Sequence, residues 1–370
     1  MIRVLMINGG PLDYGGISSC ILNYAGHIDP NRIRFDHAVH GYEIGSRESE
    51  VLAGGSTVFH LPNRRSDPVG NRKALYDLFS SGRYPIVHSH LDGMNGYTLG
   101  IAKRCGVPVR IAHCHNTDHL TTDPLRRILH TMQAKKTPYA ATDLFACSQN
   151  AAAFFYGRHS GRSVILRNAI ETENFAFSKE ERNRVRKSFG IPEDAFLIGH
   201  VGRFDRQKNH SFLLGVFDGV LRIRPDSMLM LLGDGALKEE MQAKAAELGI
   251  DRKVLFPGYR QNVAAYYSAF DCFVLPSLFE GFGMVLLEAQ SAGLRCVVSD
   301  PVPADACLDD CIRLPLTESC WIDSIASFSS YTYGEREKAG TLNRKKLAEK
   351  GYDIHSAAEE LARFYEERLK

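Results

Sequence analysis

What most limits the fold of this chain is a set of short apolar runs that end in glycine or polar residues and alternate with stretches of helical periodicity. The runs come in two series. The first comprises "RVLMIN", "STVFHL", "PIVHSH", "VRIAHCH", "LFACS" and "VILRN"; the second comprises "FLIGHVG", "SMLMLLG", "KVLFPG", "CFVLPS" and "RCVVSD". Strands this uniformly apolar are buried on both faces, which calls for parallel sheets flanked by helices. Two series predict an α/β chain of two doubly wound, Rossmann-like domains, in keeping with 370 residues, more than one hydrophobic core usually serves. The polar, charged stretch "ETENFAFSKEERNRVRKSFGIPEDA" separates them, so the boundary is set at Glu171, with domains 1–170 and 171–353. The final segment, "HSAAEELARFYEERLK", spaces Ser356 and Glu359 as a capping box and repeats apolar residues at Ala358, Leu361, Phe364 and Tyr365. It predicts a terminal amphipathic helix, 354–370, that covers part of the N-terminal domain.

In open parallel sheets, ligands sit beyond the carboxyl ends of the strands, so the residues that follow each strand carry the most information. In the second half these are "GRFDRQKNH" (202–210), "GDGALKEE" (233–240), "GYRQN" (258–262) and "PSLFEGFGM" (276–284). Gly202, Arg203 and Lys208 ahead of a helix start would cradle a diphosphate with two cations and free backbone N–H groups. The stretch "LFEGFGMVLLEAQSAGL" (278–294) sets Glu280 and Glu288 around a glycine turn. Its glycines admit a ligand to the backbone, and a helix beginning near Met284 would aim its positive end there. On one continuous helix the two glutamates would lie about 80° apart. Glu280 is therefore placed in the loop, at one end of a polyhydroxylated ligand, and Glu288 inside the helix at the other. A glutamate between leucine and alanine is costly to bury unpartnered, which points to a ligand.

The formal net charge is only +2, but residues 1–170 hold 19 Lys and Arg against 12 Asp and Glu, and the remainder holds 26 against 31. A half at +7 is compatible with an anionic partner, and equally with an ordinary solvated face. Nine cysteines, none in a C-x-x-C pair and several inside apolar runs, predict reduced thiols and a cytoplasmic protein. The opening "MIRVLMINGG" reads as a strand, not a signal peptide, and no apolar stretch reaches membrane-spanning length. The histidines of "HSH" (88–90) and "HCH" (113–115) alternate onto one strand face, where they could hold a metal or line a cleft by hydrogen bonding; the second is expected. "GDGALK" lacks the third glycine of a dinucleotide fingerprint, and no G-x4-GK[ST] loop occurs. The stretch "DPLRRILHTMQAKK" reads as a basic amphipathic helix, 124–136, capped by Asp123 and Pro124 and able to rest on anionic lipid, although an ordinary solvated helix has the same pattern.

Glu280 through Glu288 resembles the E-x7-E motif of retaining glycosyltransferases of the GT-B fold, and "GRFDRQKN" resembles the motif that family uses on the donor diphosphate. "GGISSCILNYAGHIDPNRIRFDHAVHG", "VPVRIAHCHNT", "NAIETENF" and "FPGYRQNVAAYYSAFDCFVLPSLFEGFGMVLLEAQSAGLRCVVSD" extend the resemblance nearly end to end, to bacterial exopolysaccharide and capsule glycosyltransferases of group 1. The resemblance implies Arg203 and Lys208 on the diphosphate, Glu288 on the ribose, and Glu280 with the backbone from Phe282 through Gly283 and Met284 to Val285 against the donor sugar and phosphates. It places Tyr259, Arg260 and Asn262 near the base, Gly16 near the phosphates and His115 beside the transferred sugar. The Asp-x-Asp signature of the other large glycosyltransferase fold is missing.

The expected activity is transfer of a sugar from a UDP- or GDP-sugar to a saccharide acceptor, of the polyprenyl-diphosphate-linked kind, with retention of configuration and no metal or other cofactor. It would take place in the cytoplasm, at the inner face of the membrane, in cell-surface polysaccharide synthesis. Two alternatives stay open: a nucleotide-sugar epimerase of the same fold, and a non-catalytic sugar-nucleotide-binding partner of an assembly complex.

Overall fold

The computed structural model describes every residue except Leu120 and Thr122. The chain divides into two compact units, Met1–Ala169 with Gly351–Lys370, and Ile170–Lys350. The first is built on seven strands, β1 (Ile2–Asn8), β2 (Ile33–His40), β3 (Val58–Leu61), β4 (Ile86–His90), β5 (Val109–Cys114), β6 (Asp143–Ala146) and β7 (Ser163–Ile165), in the order β3-β2-β1-β4-β5-β6-β7. The second has six, β8 (Leu197–Val201), β9 (Met228–Leu232), β10 (Val254–Gly258), β11 (Cys272–Leu275), β12 (Arg295–Ser299) and β13 (Cys311–Leu314), in the order β10-β9-β8-β11-β12-β13. All of these neighbours pair in parallel.

The apolar runs dictate this layering. Along β1, Leu5 and Ile7 pack to one side of the sheet with Val87, Ala112 and Leu144, while Val4 and Met6 pack to the other with Ile86, Ile111 and Phe145. The second side is closed by the C-terminal helix Ile354–Glu367, through Ile354, Ala358, Leu361 and Tyr365. Arg32 ties the helix's outer face down by pairing with Glu359 and Glu366. The expected capping box is not what starts this helix. Asp353 is the N-cap, accepting from the Ser356 backbone N–H, and Glu359 is spent on Arg32.

Strands β2 and β13 were not expected from the sequence. In β2 the apolar run is broken by Asp36, which is fully buried because Arg3, Tyr84 and the Thr57 backbone N–H all donate to it, at 2.7, 2.9 and 2.7 Å. β13 is a four-residue edge strand whose middle residues face water, so it lacks the apolar signature of a buried strand. Among the described residues no helix is long and apolar enough to cross a membrane. All nine cysteines are free thiols.

Candidate functional site

The strand order of the second unit reverses direction between β8 and β11, and at such a switch point the carboxyl ends of the two strands frame a ligand crevice. The loops after both strands meet there. Beyond β8, Gly202 leads through the turn 206–208 to Asn209, which takes a left-handed conformation (φ 55°) and starts the helix His210–Ile223. Beyond β11, the loop carrying Ser277 and Glu280 turns at Gly283 (φ 86°) into the helix Met284–Ser291. Lys208 Nζ lies 2.6 Å from Glu280 Oε1, the same oxygen accepts from Ser277 Oγ at 2.7 Å, and Gln207 Nε2 donates to Oε2 at 3.3 Å. The lysine side chain is 15% exposed and the glutamate 6%, so each charge depends on the other. Gly202 is needed for this arrangement: a Cβ there would lie 2.9 Å from His200 Nε2 and 3.1 Å from the stem of Lys208.

Arg203 is not brought onto Glu280. It is 75% exposed on the surface and pairs with Asp205 at 2.9 Å, a contact that water screens and a stronger anion can displace. The helix Met284–Ser291 has Gly283 at its N-cap and no side-chain cap; Leu286 N–H is taken by the Gly283 carbonyl at 2.9 Å, and the Met284 and Val285 N–H groups keep their capacity for an acceptor. Glu288, one turn in, has an internal partner that sequence reasoning missed. Tyr267 OH lies 2.7 Å from its Oε2 and 3.2 Å from the Val285 carbonyl. Burial raises the Glu288 pKa, opposed by the tyrosine hydrogen bond and the charge of Lys208. Tyr267 therefore supplies part of what burial of this carboxylate requires, beside the ligand to which its burial pointed. Oε1 keeps no hydrogen bond among the described residues. Tyr259, Arg260 and Asn262 form a separate exposed cluster after β10, with Arg260 donating to Tyr266 OH and the Tyr259 carbonyl, both at 3.0 Å.

In the first unit the switch point lies between β1 and β4. Gly16 opens the helix Gly16–His27 after an N-cap without side-chain bonding, and among the described residues nothing beyond its chain neighbours and its own helix backbone comes within 4 Å of where its Cβ would be. The protein's own packing therefore does not require glycine there. His115, just past β5, is held on three sides. Its backbone N–H donates to Asp92 at 2.6 Å, its carbonyl lies 3.3 Å from Cys147 Sγ, and its Nε2 lies 2.8 Å from His90 Nδ1. Asp92 does this from a left-handed backbone (φ 47°) and also accepts from Asn116 Nδ2. Nothing in the sequence marked Asp92, Gln207 or Ser277, because each gains its partner only through folding.

The four strand histidines are buried side by side, with ring centroids 4.3 Å apart for His88 and His90 and 4.1 Å for His113 and His115. Ring nitrogens of His88, His90 and His113 come within 4.8 Å of one another. The rings are stacked, with the His88–His90 and His113–His115 planes inclined by only 21° and 27°, and both His88 nitrogens are engaged, by Tyr365 OH and His113. Stacked rings direct their lone pairs along parallel lines, whereas a tetrahedral cation needs them to converge. Burial holds all four well below the ordinary histidine pKa, and they form a neutral stack running from the C-terminal helix to His115.

Residues 181–306, which contain the whole Lys208–Glu280–Glu288 constellation, match the family model described as "Glycosyl transferases group 1". Over 98% of its length the chain is 32% identical to EpsF of Bacillus subtilis (strain 168), a protein that bears the name glycosyltransferase provisionally, and it covers 96% of that relative. It is 29% identical, over 61% of this chain and 60% of the other, to the Escherichia coli UDP-Gal:alpha-D-GlcNAc-diphosphoundecaprenol alpha-1,3-galactosyltransferase. Among solved structures, Anabaena Alr3699/HepE in complex with UDP and glucose superposes with a TM-score of 0.80, covering 99% of this chain and 100% of that one, at 16% identity.

Proposed function

Because the chain belongs to the group 1 glycosyl transferases and has their two-sheet GT-B architecture, we propose that it moves a sugar from a nucleoside diphosphate sugar to a saccharide acceptor with retention of configuration. The observation that carries this reading is the meeting of Lys208 and Glu280 at the switch point of β8 and β11, beside the uncapped start of the helix Met284–Ser291. Charge that develops on a departing diphosphate needs fixed positive groups around it. Lys208, the helix N-terminus and a reoriented Arg203 supply them, so transfer needs no metal ion. Glu288 Oε1 is the acceptor left for a ribose hydroxyl, and Tyr259, Arg260 and Asn262 are assigned to the base.

Glu280 serves here as a fixed anion that positions Lys208 and the donor sugar. Three donors hold its two oxygens, so attack on the sugar by the acceptor itself, with the departing phosphate taking the proton, is preferred over a glycosyl-enzyme on Glu280. In the first unit Gly16 is assigned to the phosphates and His115 to the transferred sugar. The acceptor is a lipid-linked saccharide of a surface polysaccharide, by analogy with the diphosphoundecaprenol substrate in the name of the E. coli relative. The helix Pro124–Ala140 provides membrane contact at the inner face.

Thermal unfolding with UDP, GDP and ADP, each without metal, tests the donor site. Ligand at about 100 times its dissociation constant adds about 2.7 kcal/mol to the native state. A rise in melting temperature with one nucleotide, lost in Arg203→Ala and Glu288→Ala, is expected. No rise with any of the three, or a rise that both variants retain, overturns the assignment.

A further inference from the structure

The second unit carries a pair of thiols that none of these assignments uses. Cys307 and Cys311 lie at either side of a tight turn in the loop from β12 to β13, and both are only half-buried. We propose that they are a reversible redox pair, closed to an intramolecular disulfide by a low-molecular-weight disulfide, and that closure weakens the donor site through Gln290. The effect on nucleotide binding rests on the transferase reading; formation of the disulfide does not.

Backbone hydrogen bonds bring the two side chains together. The Cys307 N–H closes one turn on the Ala304 carbonyl at 3.0 Å, and the Cys311 N–H closes the next on the Leu308 carbonyl, also at 3.0 Å. The two thiols end hydrogen-bonded to one another. Cys307 Sγ lies 3.8 Å from the Pro303 carbonyl, which can only accept, so the donors run from Cys311 through Cys307 to Pro303.

This order gives the sulfurs different roles. The hydrogen bond from Cys311, with the charges of Arg313 and Lys350, holds the Cys307 thiol below its ordinary range against the opposing effect of burial. The same bond, and then burial, raises the Cys311 thiol. Cys307 is therefore the attacking thiolate and Cys311 the resolving thiol. Cys296 is Cys311's neighbour in strand register, but it is 1% exposed and burial holds its thiol well above the ordinary value, so it takes no part.

The exchange balances with one reagent. The Cys307 thiolate attacks a sulfur of oxidised glutathione, forms a mixed disulfide and expels one glutathione thiolate, which takes up the proton that Cys307 gave up. Cys311 then loses its own proton, attacks the Cys307 sulfur and expels the second glutathione. Two protein thiols are oxidised to one disulfide, and one oxidised glutathione is reduced to two thiols.

Gln290 links this loop to the donor site, because it sits on the helix Met284–Ser291 that also carries Glu288. Gln290 is 2% exposed; its Nε2 donates to the Ala306 carbonyl at 2.8 Å and its Oε1 accepts from the Leu308 N–H at 2.7 Å. It thus clamps the residues on both sides of Cys307. Disulfide geometry is specific, and Leu308 lies inside the ring that closure makes. Closure therefore constrains the N–H that Gln290 holds, and with it the helix assigned to the donor.

The full chain, incubated with oxidised glutathione, alkylated and digested, tests the thiol pair by peptide mass. Expected is a Cys307–Cys311 disulfide, two hydrogens lighter than the reduced peptide and reopened by dithiothreitol. Cys311→Ser should instead trap glutathione on Cys307, and Cys307→Ser should leave Cys311 unmodified. In the nucleotide melting titration, oxidation should lower the apparent affinity of the wild-type chain severalfold and leave that of Cys307→Ser unchanged. The proposal is overturned if both thiols stay reduced, if glutathione remains on Cys307 of the wild type, or if the disulfide form binds nucleotide as the reduced form does. A reduced chain without any nucleotide shift overturns the donor reading instead, and the peptide masses still decide the thiol pair.

Discussion

Tyr365, five residues from the end of the sequence, places its hydroxyl 2.6 Å from His88 Nδ1 in the middle of the first sheet. The last helix is therefore part of the first unit's core, and the partner of a buried histidine comes from 277 residues away. Tyr365→Phe keeps the ring and removes only that bond, leaving a buried polar nitrogen unsatisfied at a cost of about 1–3 kcal/mol. A denaturant midpoint lowered accordingly is expected. Truncation after Gly351 should be far worse, because Ile354, Ala358, Leu361 and Tyr365 leave the core together. A Tyr365→Phe midpoint equal to that of the wild type would show the contact to be idle.

Buried neutral histidines make the fold sensitive to acid. Burial pushes His37 and His210 down to about 4 and His40 and His115 down to about 3, and holds His88, His90, His113 and His200 well below their ordinary value. Their folded pKa values lie below the unfolded value of about 6.5, so between the two the unfolded chain binds more protons. The stability they confer is complete above about pH 6.5 and falls as pH drops toward the folded values. Each such group has a limiting slope of about 1.4 kcal/mol per pH unit. His60, whose pKa Glu48 raises, acts in the opposite sense but alone. Even half of the eight would consume a typical stability of about 5–15 kcal/mol within a few pH units. Melting scans from pH 7.5 to 4 should show a steep fall below about pH 6, and a flat profile would contradict the burial of these rings.

The Lys208–Glu280 pair allows structural and ligand roles to be separated. Lys208→Met strands a buried carboxylate, and breaking such a pair costs about 3–5 kcal/mol. Adding Glu280→Gln removes the stranded charge and keeps the amide bonded to Ser277 and Gln207, so the double variant should recover most of that loss. It should not recover the nucleotide-induced shift, because the cation is still missing. Recovery of both stability and nucleotide response in the double variant would remove Lys208 from the donor site.

Much of this was visible in the sequence, for reasons that particular residues make clear. The loops after β8 and β11 could be recognised because glycine, cations and carboxylates cluster beyond apolar runs, and the structure does join Lys208 to Glu280. Arg203, drawn from the same motif, points into water and pairs with Asp205, since a free surface guanidinium takes the nearest carboxylate. What stayed hidden were partners distant along the chain. Asp36 looked unlike a strand residue until Arg3, Tyr84 and Thr57 converged on it, and Glu288 looked unpartnered until Tyr267 came to it from a neighbouring helix. Asp92 gave no signal at all, because a left-handed backbone leaves no local pattern in a residue other than glycine.

The outer side of the helix Pro124–Ala140 carries exposed apolar residues beside cations, and vesicle binding tests the membrane contact proposed for it. Asp123 caps it as the sequence suggests, accepting from the Leu125 and Arg126 backbone N–H groups. Its inward face buries Ala134, Thr137, Pro138 and Ala140, with His130 and Thr131 half-buried against His119, while Leu125, Ile128, Leu129 and Met132 are exposed. Arg126 and Arg127 pair with Asp123 and Asp118 at the surface, and Lys135 and Lys136 lie exposed one turn beyond Met132. Each cation near an anionic surface contributes about 1 kcal/mol, and inserted leucine-like side chains add to it. Changing all four cations to glutamine should lower cosedimentation with phosphatidylglycerol vesicles by at least about tenfold, given that two of them start out paired. Leu125→Ser with Ile128→Ser should lower it further while leaving the melting temperature unchanged, since neither residue is in the core. Vesicle binding unaltered by both sets of changes would mean that this face is merely solvated, and that any approach to a lipid-linked acceptor uses another surface of the first unit.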